Sequence, residues 1–402
     1  MPAKIPEEAK CKADPPRRSG IYIHVPFCLK KCRYCDFYSI TDPGFIESYL
    51  NALSIEIRHL SGSTPAPVDS IYFGGGTPSL LTPGQIGRII GECKSAFDIL
   101  PDSEITLEMN PKTADEGVLT EYRASGINRI NIGVQSLEAW ELEFLGRIHA
   151  PSDAEDAIQW VKVAVFDNYG VDLIYGIPGQ TVESWTAILR RIVEFSPNHI
   201  SCYMLTYEPG TPLDLDLRSK KIRKMSEELA AHLFLTTDSI LEEYGYDHYE
   251  ISNFAQRREG VSPGARSLHN RKYWTFSPYL GLGPGAHSFI GDTRFWNVKD
   301  LDRYMHLLSR GELPVCGKEV LSREQQALEM IYLGLRTREG ISARIFEAKI
   351  GISFHETFSE IIQHLLDEKM IIETPESCAL SPKGMLFHES ISRRFAERLP
   401  IL

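Results

Sequence analysis

Three cysteines stand within eight residues near the start of the chain, in the segment HVPFCLKKCRYCDFYS (24–39). Cys28, Cys32 and Cys35 form a CxxxCxxC pattern, and no fourth cysteine lies nearby. A structural zinc site takes four ligands, usually from CxxC pairs, and here only His24 could be the fourth. An iron–sulfur cubane has four irons, and a short loop can hold three of them and leave the fourth open to an exchangeable ligand. The spacing therefore favours a cluster over zinc.

Further residues of unusual type stand at or near the ends of later apolar segments. The glycines at 74–76 follow one such segment, and the absence of Cβ atoms lets backbone approach a ligand closely, although a tight turn alone would explain them. Glu108, Gln135 and Asp172 lie on three later segments. A single buried polar residue of this kind is usually structural. Three of them on successive strands indicate a polar ligand at one mouth of a barrel.

The elements that must position these residues alternate between strand and helix. The strand candidates are rich in Ile, Val or Tyr, and they are 21–25, 68–76, 104–111, 127–136, 171–179 and 199–207. Helix candidates such as 45–60 and 181–195 lie between them, with apolar residues at helical spacing. Six strand-then-helix units predict an α/β fold built on a partial (β/α)6 barrel, because eight would close a full one. In such folds the chemistry gathers at the carboxyl ends of the strands.

Breaks in composition predict four regions along the chain. Residues 1–19 form a flexible N-terminal tail, 20–222 the partial barrel, and 223–315 an accessory α/β segment rich in glycine and aromatic residues. Residues 316–402 form a small C-terminal domain. Its helical patterns, at 323–336, 342–349 and 355–368, precede a short strand, a turn and a second strand, which is typical of a winged-helix-like unit.

The bulk composition restricts the partners. The chain has 402 residues and a net charge of −11, and a negative surface disfavours nucleic-acid binding. The first twenty residues carry no apolar segment of signal-peptide length, and no apolar run reaches the roughly 18 residues of a membrane span. We therefore expect a cytoplasmic protein without a transmembrane segment, for which peripheral contact with a membrane stays open.

The CxxxCxxC pattern at the end of a first strand resembles that of the radical S-adenosylmethionine (SAM) enzymes. The resemblance implies a [4Fe–4S] cluster held by Cys28, Cys32 and Cys35, whose open iron is chelated by the amino and carboxylate groups of SAM. It also implies an electron donor to the cluster and reductive cleavage of SAM to a 5′-deoxyadenosyl radical. By position, the residues that match the SAM site of this family are Tyr22, Gly75, Gly76, Thr77, Glu108, Gln135, Arg147 and Asp172.

Within that superfamily, nearly the whole chain resembles the subgroup of the oxygen-independent coproporphyrinogen III dehydrogenase. The shared motifs are FGGGTPS, GVQS, VDLIYGIPGQT, YEISNFA and LGPGAHS. The dehydrogenase itself, which oxidatively decarboxylates two propionates, carries an extra cysteine two residues past the cluster triad and a long N-terminal arm. Here that position is Phe37, and only 27 residues precede Cys28. Both features of the dehydrogenase are missing.

The second member of the subgroup that the chain resembles is the HemW type of heme chaperone, whose mark is HNxxYW. Here the motif is His269, Asn270, Tyr273 and Trp274 with two basic residues between. A neutral imidazole is a common axial ligand of heme iron, although one His beside Tyr and Trp is more often core packing. The resemblance implies a protein that binds heme and transfers it to an acceptor protein; the alternative is a radical enzyme that acts on a tetrapyrrole. The segment 256–268 is longer than the family pattern. Two interpretations stay open: the extra residues are a harmless surface insertion, or they alter the access of heme to the protein.

Overall fold

A twelve-stranded sheet forms the centre of the molecule in the computed structural model, which describes residues 18–257 and 265–400. The six strands that come first in the chain are parallel and alternate with helices, which confirms the predicted partial barrel. The elements of this half are β1 (Ser19–Val25), α1 (Ile46–His59), β2 (Val68–Gly75), α2 (Pro83–Ala96), β3 (Ile99–Met109), α3 (Glu116–Ala124), β4 (Arg129–Gln135), α4 (Ala139–Leu145), α5 (Pro151–Val163), β5 (Tyr169–Tyr175), α6 (Val182–Glu194) and β6 (His199–Met204).

The two faces of the parallel strands differ in chemistry. In β1, Ile21 and Ile23 are fully buried in the apolar core, whereas Tyr22 points to the other face, where its ring lies 6.2 Å from that of His269 between centroids. Helix α6 contributes to the same core with Trp185 and Ile188, three residues apart on one helix face. The outer face of the sheet is therefore apolar and covered by helices, and the inner face carries polar and aromatic side chains.

The sheet continues beyond both edges of the barrel, so the accessory segment shares one sheet with it. Beyond β6 two antiparallel strands follow, and beyond β1 one parallel strand and three antiparallel strands follow. These elements are α7 (Pro212–Arg218), α8 (Glu227–Glu243), β7 (Tyr246–Glu250), β8 (Asn253–Gln256), α9 (Leu268–Trp274), β9 (Tyr279–Leu282), β10 (His287–Ile290), β11 (Thr293–Asn297), α10 (Leu301–Ser309) and β12 (Val315–Val320). The domain boundary that we predicted after residue 315 falls inside β12.

The C-terminal region has the helices and the strand pair that the sequence predicts. Its elements are α11 (Arg323–Leu335), β13 (Ile341–Ser342), α12 (Ala343–Ile350), α13 (Phe354–Asp367), β14 (Ile371–Glu373), β15 (Ser377–Leu380), α14 (Pro382–Met385) and α15 (His388–Arg398). Strands β13, β15 and β14 form a separate three-stranded sheet. The region is joined to the main sheet by an ion pair, in which Arg336 Nε lies 2.7 Å from the fully buried Glu250 Oε2.

Two predicted features lie wholly or partly outside the described residues. Of the N-terminal tail 1–19, residues 1–17 lie outside, and of the segment 256–268, residues 258–264 do. Within the described ranges, no helix combines the length and the apolar character that crossing a bilayer requires.

Candidate functional site

The loop that carries the three cysteines leaves the end of β1, and contacts with the barrel fix it. The amide of Cys28 donates to the carbonyl of Ile40 at 2.9 Å, and the amide of Ile40 donates to the carbonyl of Pro26 at 2.7 Å. In mid-loop, the amide of Arg33 donates to the carbonyl of Leu145, the last residue of α4, at 3.1 Å. The loop is therefore held at its base and at its tip.

The three cysteines are unpaired and half-buried, and they line one cavity of about 630 Å³. The other cavity residues place it at the carboxyl ends of the parallel strands. Within residues 18–257 and 265–400, no three His, Cys, Asp or Glu side chains converge as ligands of a single metal ion. A four-iron cluster is larger than one ion and does not require thiolates that meet at one point. The donor set thus fits a cluster better than zinc.

Two side chains of the barrel donate hydrogen bonds to these sulfur atoms. Thr77 Oγ1 lies 3.6 Å from Cys28 Sγ, and Arg147 Nη1 lies 3.5 Å from Cys32 Sγ. A guanidinium at this distance can neutralise part of the charge of a metal-bound thiolate. Burial raises the pKa of Cys35 to about 11. The proton of that thiol is therefore released when metal binds and not before.

The glycine-rich loop after β2 packs directly against the cysteine loop. The amide of Gly76 donates to the carbonyl of Val25 at 2.8 Å. A Cβ at Gly76 would lie 2.6 Å from the carbonyl oxygen of Phe27, and a Cβ at Gly75, where φ is +111°, would lie 2.6 Å from the ring of His24. We predicted that these glycines leave room for a ligand. Both do line the cavity, and close packing against the cysteine loop and His24 gives a further reason for glycine at both positions.

Glu108, Gln135 and Asp172, predicted on three successive strands, are brought together on the wall of this cavity. Tyr72 donates its hydroxyl to Glu108 Oε1 at 2.7 Å, and burial raises the pKa of Glu108 to about 7. Asn131 Nδ2 donates to Asp172 Oδ2 at 2.5 Å, and burial raises the pKa of Asp172 as well. Ser201 also hydrogen-bonds to Asp172 and offsets part of that rise, whereas the buried Asn131 Oδ1 has no hydrogen-bond partner among the described residues. Together these residues give the cavity a wall rich in hydrogen-bond acceptors.

Arg147 joins this wall to the cysteine loop. Its Nη2 donates to the carbonyl of Gly133 at 2.6 Å, while Nε has no partner in the described part of the chain. A Cβ at Gly133 would lie 3.0 Å from Gln135 Nε2 and 3.4 Å from Arg147 Nη2, so a larger residue there would crowd both side chains. Carboxylate and amide acceptors beside a guanidinium on one cavity wall fit a cofactor with ammonium, carboxylate and hydroxyl groups, as SAM has.

Sequence reasoning missed Asn131 and Gly133 as members of the site. Both alternate along β4 with Ile130 and Ile132, which are fully buried. The signal was present in the sequence, because residues two apart on a strand point to the same face. Tyr203 was also missed, and it lines the cavity from β6.

Tyr22 is the SAM-site residue predicted from position that does not line the cavity. Its hydroxyl lies 3.1 Å from His24 Nδ1, and its ring stacks on Tyr72 at 6.3 Å between centroids. Tyr22 therefore lies deeper in the barrel, between the cavity and helix α9.

The HNxxYW motif forms helix α9, which packs against the inner face of β1 and β2. His269 is fully buried, with Nδ1 3.1 Å from Ser70 Oγ and Nε2 2.9 Å from the Tyr273 hydroxyl. Its ring stacks on Tyr72 at 5.2 Å, and burial lowers the pKa of His269 to about 3. Since both ring nitrogens are hydrogen-bonded, neither is free for heme iron in this arrangement. In this arrangement the ring is packed as a core histidine, and the role of His269 as an axial ligand stays a prediction.

The other residues of the motif connect helix α9 to its surroundings. Ser267 caps the start of the helix, because its Oγ accepts a hydrogen bond from the amide of Asn270 at 3.3 Å. The guanidinium of Arg336, from the C-terminal region, lies over the Trp274 ring at 4.6 Å, and Trp274 Nε1 has no partner among the described residues. Asn270, Tyr273 and Trp274 are half-buried, so in this structure they do not form an open heme surface.

Comparisons with known proteins agree with this site. Residues 22–192 match the model of the radical SAM superfamily, and residues 321–387 match that of the HemN C-terminal domain. The fold of coproporphyrinogen III oxidase (HemN) from Escherichia coli superposes with a TM-score of 0.79 at 24% identity, over 96% of this chain and 91% of that one.

Full-length relatives are more similar in sequence. "Heme chaperone HemW" of Mycobacterium tuberculosis is 31% identical over 98% of this chain and 97% of its own length, and that of Bacillus subtilis is 31% identical over 94% and 99%. "Radical S-adenosyl methionine domain-containing protein 1, mitochondrial" of Mus musculus is 35% identical over 93% and 86%. With its cysteine loop and its strand-end cavity, the chain therefore belongs to the HemW family of the radical SAM superfamily.

Proposed function

We propose that this protein binds heme and passes it to an acceptor protein, and that it carries a [4Fe–4S] cluster and SAM in the strand-end cavity. The observation that carries the proposal is similarity over nearly the whole chain to proteins named heme chaperone in distant bacteria. The resemblance includes Phe37 where the dehydrogenase has its extra cysteine. Phe37 is 62% exposed beside the cavity and offers no thiol there.

The residues of the cavity have separate roles in this proposal. Cys28, Cys32 and Cys35 would hold the cluster, with Arg147 donating to the sulfur of Cys32 and neutralising part of the thiolate charge. Asp172, on the wall of the cavity, would accept a hydrogen bond from SAM. When bound, the cluster and SAM supply one-electron chemistry to the site.

A second candidate function is that of a radical enzyme acting on a porphyrinogen or another tetrapyrrole. The retained cavity favours it, because the side chains that would orient SAM, such as Asp172 and Arg147, still line it together. A carrier that never used SAM would have no need of these groups. The missing thiol at Phe37 disfavours the dehydrogenase reaction in particular.

One set of measurements on the anaerobically purified, iron-loaded protein separates the two functions. Hemin is titrated and followed by the Soret band, and coproporphyrinogen III is incubated with SAM and dithionite and assayed for vinyl products. We expect about one heme per chain and no decarboxylation. Heme-loaded protein should then lose its Soret band to added apomyoglobin, as a carrier must. Vinyl products at catalytic rates without heme binding would assign the protein to the enzymes instead.

A further inference from the structure

Arg129, the first residue of β4, carries a charge that is buried inside the barrel. Its side chain is only 1% exposed, and its ion-pair partner is Glu104, whose Oε2 lies 3.9 Å from Arg129 Nε, beyond hydrogen-bond distance. Nε and Nη1 have no hydrogen-bond partner in the described part of the chain. A buried charge is costly unless its neighbours compensate it, so the surroundings of this guanidinium decide what it does.

The ion-pair partner of Arg129 is already engaged by helix α9. The amide of Leu268 donates to Glu104 Oε2 and the amide of His269 donates to Glu104 Oε1, both at 3.2 Å. Glu104 therefore holds the first turn of the HNxxYW helix. Because both of its oxygens accept from this helix, the Arg129 charge also acts on other carboxyl groups nearby.

The strand register places Arg129 one layer below the cavity wall. Arg129 and Asn131 are two residues apart on β4, so both point to the inner face of the barrel. Asn131 is in register with Glu108 of β3, whereas Arg129 is in register with Thr106. Since Asn131 and Glu108 line the cavity, Arg129 lies beneath them, toward the amino ends of the strands.

A glycine on the next strand makes room for the guanidinium. Gly170 of β5 is in register with Asn131 on one side and with His199 on the other. A Cβ at Gly170 would lie 2.5 Å from Asn131 Oδ1 and 3.3 Å from both Arg129 Nη2 and His199 Nδ1. Arg129 thus reaches across β5, two residues below Asp172, whose Oδ2 accepts from Asn131 Nδ2.

The charge of Arg129 acts on both carboxyls of the cavity wall. Burial raises the pKa of Asp172, and the hydrogen bond from Ser201 and then the charge of Arg129 offset part of that rise. Burial also raises the pKa of Glu108, and the Tyr72 hydrogen bond lowers it. The charge of Asp172 raises the pKa of Glu108 further, and the charge of Arg129 opposes this effect. A cation beneath the two carboxyls therefore favours the ionised form of both.

Three other titratable side chains near Arg129 are neutral at neutral pH. Burial, followed by the charge of Arg129, lowers the pKa of His199. Burial raises the pKa of Tyr72 on β2 and of Tyr249 on β7. These three side chains cannot compensate the guanidinium, and the groups that do so are the carboxyls of Glu104, Glu108 and Asp172.

We propose that Arg129 is a positioning residue of the SAM site, whose buried charge favours the ionised form of Asp172 and Glu108 and so makes both of them acceptors for SAM. The proposal rests on the SAM site of the proposed function. Arg129 acts through the cavity wall and is not among the residues that line the cavity. Because a Coulomb interaction weakens with distance, cationic SAM is attracted more by the carboxylates of the wall than it is repelled by the guanidinium below them.

SAM binding to the cluster-loaded protein tests this role, with equilibrium dialysis of labelled SAM between about pH 6 and 9. Arg129→Met should weaken binding about tenfold at neutral pH, because a hydrogen bond to a neutral carboxyl is weaker than one to a carboxylate. The affinity should recover as the pH rises, since the carboxyls then ionise without the guanidinium. Arg129→Lys keeps the charge and should retain most of the affinity. Arg58→Met, at an exposed arginine on α1, is the control and should bind as the unmodified protein does.

A variant without ionisable carboxyls on the wall separates this role from a general loss of structure. In a protein that carries Asp172→Asn and Glu108→Gln, adding Arg129→Met should change SAM affinity by no more than about twofold, because the groups through which Arg129 acts are gone. A purely structural Arg129 would lower the affinity in this background as much as in the unmodified protein.

The outcomes separate this proposal from the one it rests on. If the unmodified protein binds no SAM, the proposed SAM site itself is contradicted. If it binds SAM, and Arg129→Met binds equally well or is weaker by the same factor at every pH, the SAM site stands and the role of Arg129 is overturned. Arg129→Gln repeats the test if Arg129→Met does not fold. Failure of both variants to fold would assign Arg129 to the fold alone and overturn the proposal as well.

Discussion

The strand-end cavity and the interior around His269 carry the two motifs that mark this sequence, yet they differ in what their side chains can still bind. In the cavity wall, Asn131 Oδ1 and Arg147 Nε lack partners in the described chain. In the interior, both nitrogens of His269 are hydrogen-bonded and its ring is stacked on Tyr72. A motif therefore marks residues that the fold needs, but only unpaired atoms show where a ligand can bind.

The sharpest test of the cavity removes one thiol. Cys32→Ala should reduce the reconstituted protein from roughly four irons per chain to almost none, because a cubane with two protein ligands is not retained. Iron and sulfide analysis with EPR of the reduced protein measures this. Cys316→Ala, an exposed cysteine on the edge strand, is the matched control and should keep its iron. A full cluster in Cys32→Ala would contradict the ligand set.

A substitution in the interior around His269 should lower the stability of the protein and leave its iron content unchanged. His269→Ala leaves the Ser70 and Tyr273 hydroxyls without a partner and opens a cavity beneath Tyr72, so the free energy of unfolding should fall by about 2–4 kcal/mol. Urea denaturation measures this loss, and the exposed His306→Ala should change it by less than about 0.5 kcal/mol.

The contrast between a ligand-binding cavity and a purely structural interior would be contradicted if His269→Ala left stability unchanged and abolished heme binding. Such a result would mean that helix α9 opens in solution and that His269 ligates iron after leaving Ser70 and Tyr273. The predicted heme-binding role of HNxxYW would then be supported.

The sequence predicts the individual strands and helices of this molecule better than it predicts which of them pair with one another. The six parallel strands follow from runs such as IYIHV and VDLIY, and three of the five helices of the C-terminal region follow from their apolar spacing. The pairing of β9 with β1 did not follow, because no local pattern in YLGL specifies a partner more than 250 residues away.

The site shows the same limit at the level of single residues. Spacing predicted that Glu108, Gln135 and Asp172 would meet, since alternate residues of parallel strands share a face. It could not show that the space at Gly76 is taken by the Phe27 carbonyl, or that His269 faces Ser70. These contacts depend on the twist of the sheet and on how a distant helix enters the barrel.

A smaller effect, on SAM affinity, is expected when one hydrogen-bond acceptor is removed from the cavity wall. Asp172→Ala should weaken SAM binding by about 1–3 kcal/mol, because a hydrogen bond to a buried carboxylate is lost. Equilibrium dialysis of labelled SAM against the cluster-loaded protein measures the change. Asp102→Ala, an exposed carboxylate on β3, is the control. Equal SAM affinity in the Asp172 variant, or undiminished binding without any cluster, would show that SAM binds elsewhere.

The smallest expected effect is a pH dependence of SAM affinity, which should arise from the cavity and not from the interior around His269. Burial raises the pKa of Glu108 to about 7, so between pH 6 and 8 this carboxyl becomes ionised and attracts the cationic SAM more strongly. Affinity should rise by at most about tenfold over that range. His269, with a pKa near 3, stays neutral throughout and should contribute nothing.

The same titration acts on folding with the opposite sign. A carboxyl whose pKa is raised in the folded state favours folding while it is protonated. Its contribution is complete below about pH 4.5 and is lost as the pH rises through about 7. Glu108→Gln should therefore flatten both profiles together, SAM affinity and unfolding free energy, since one proton governs them. If Glu108→Gln leaves both slopes intact while His269→Ala removes them, the titrating group lies in the interior, and the contrast between the two regions is wrong.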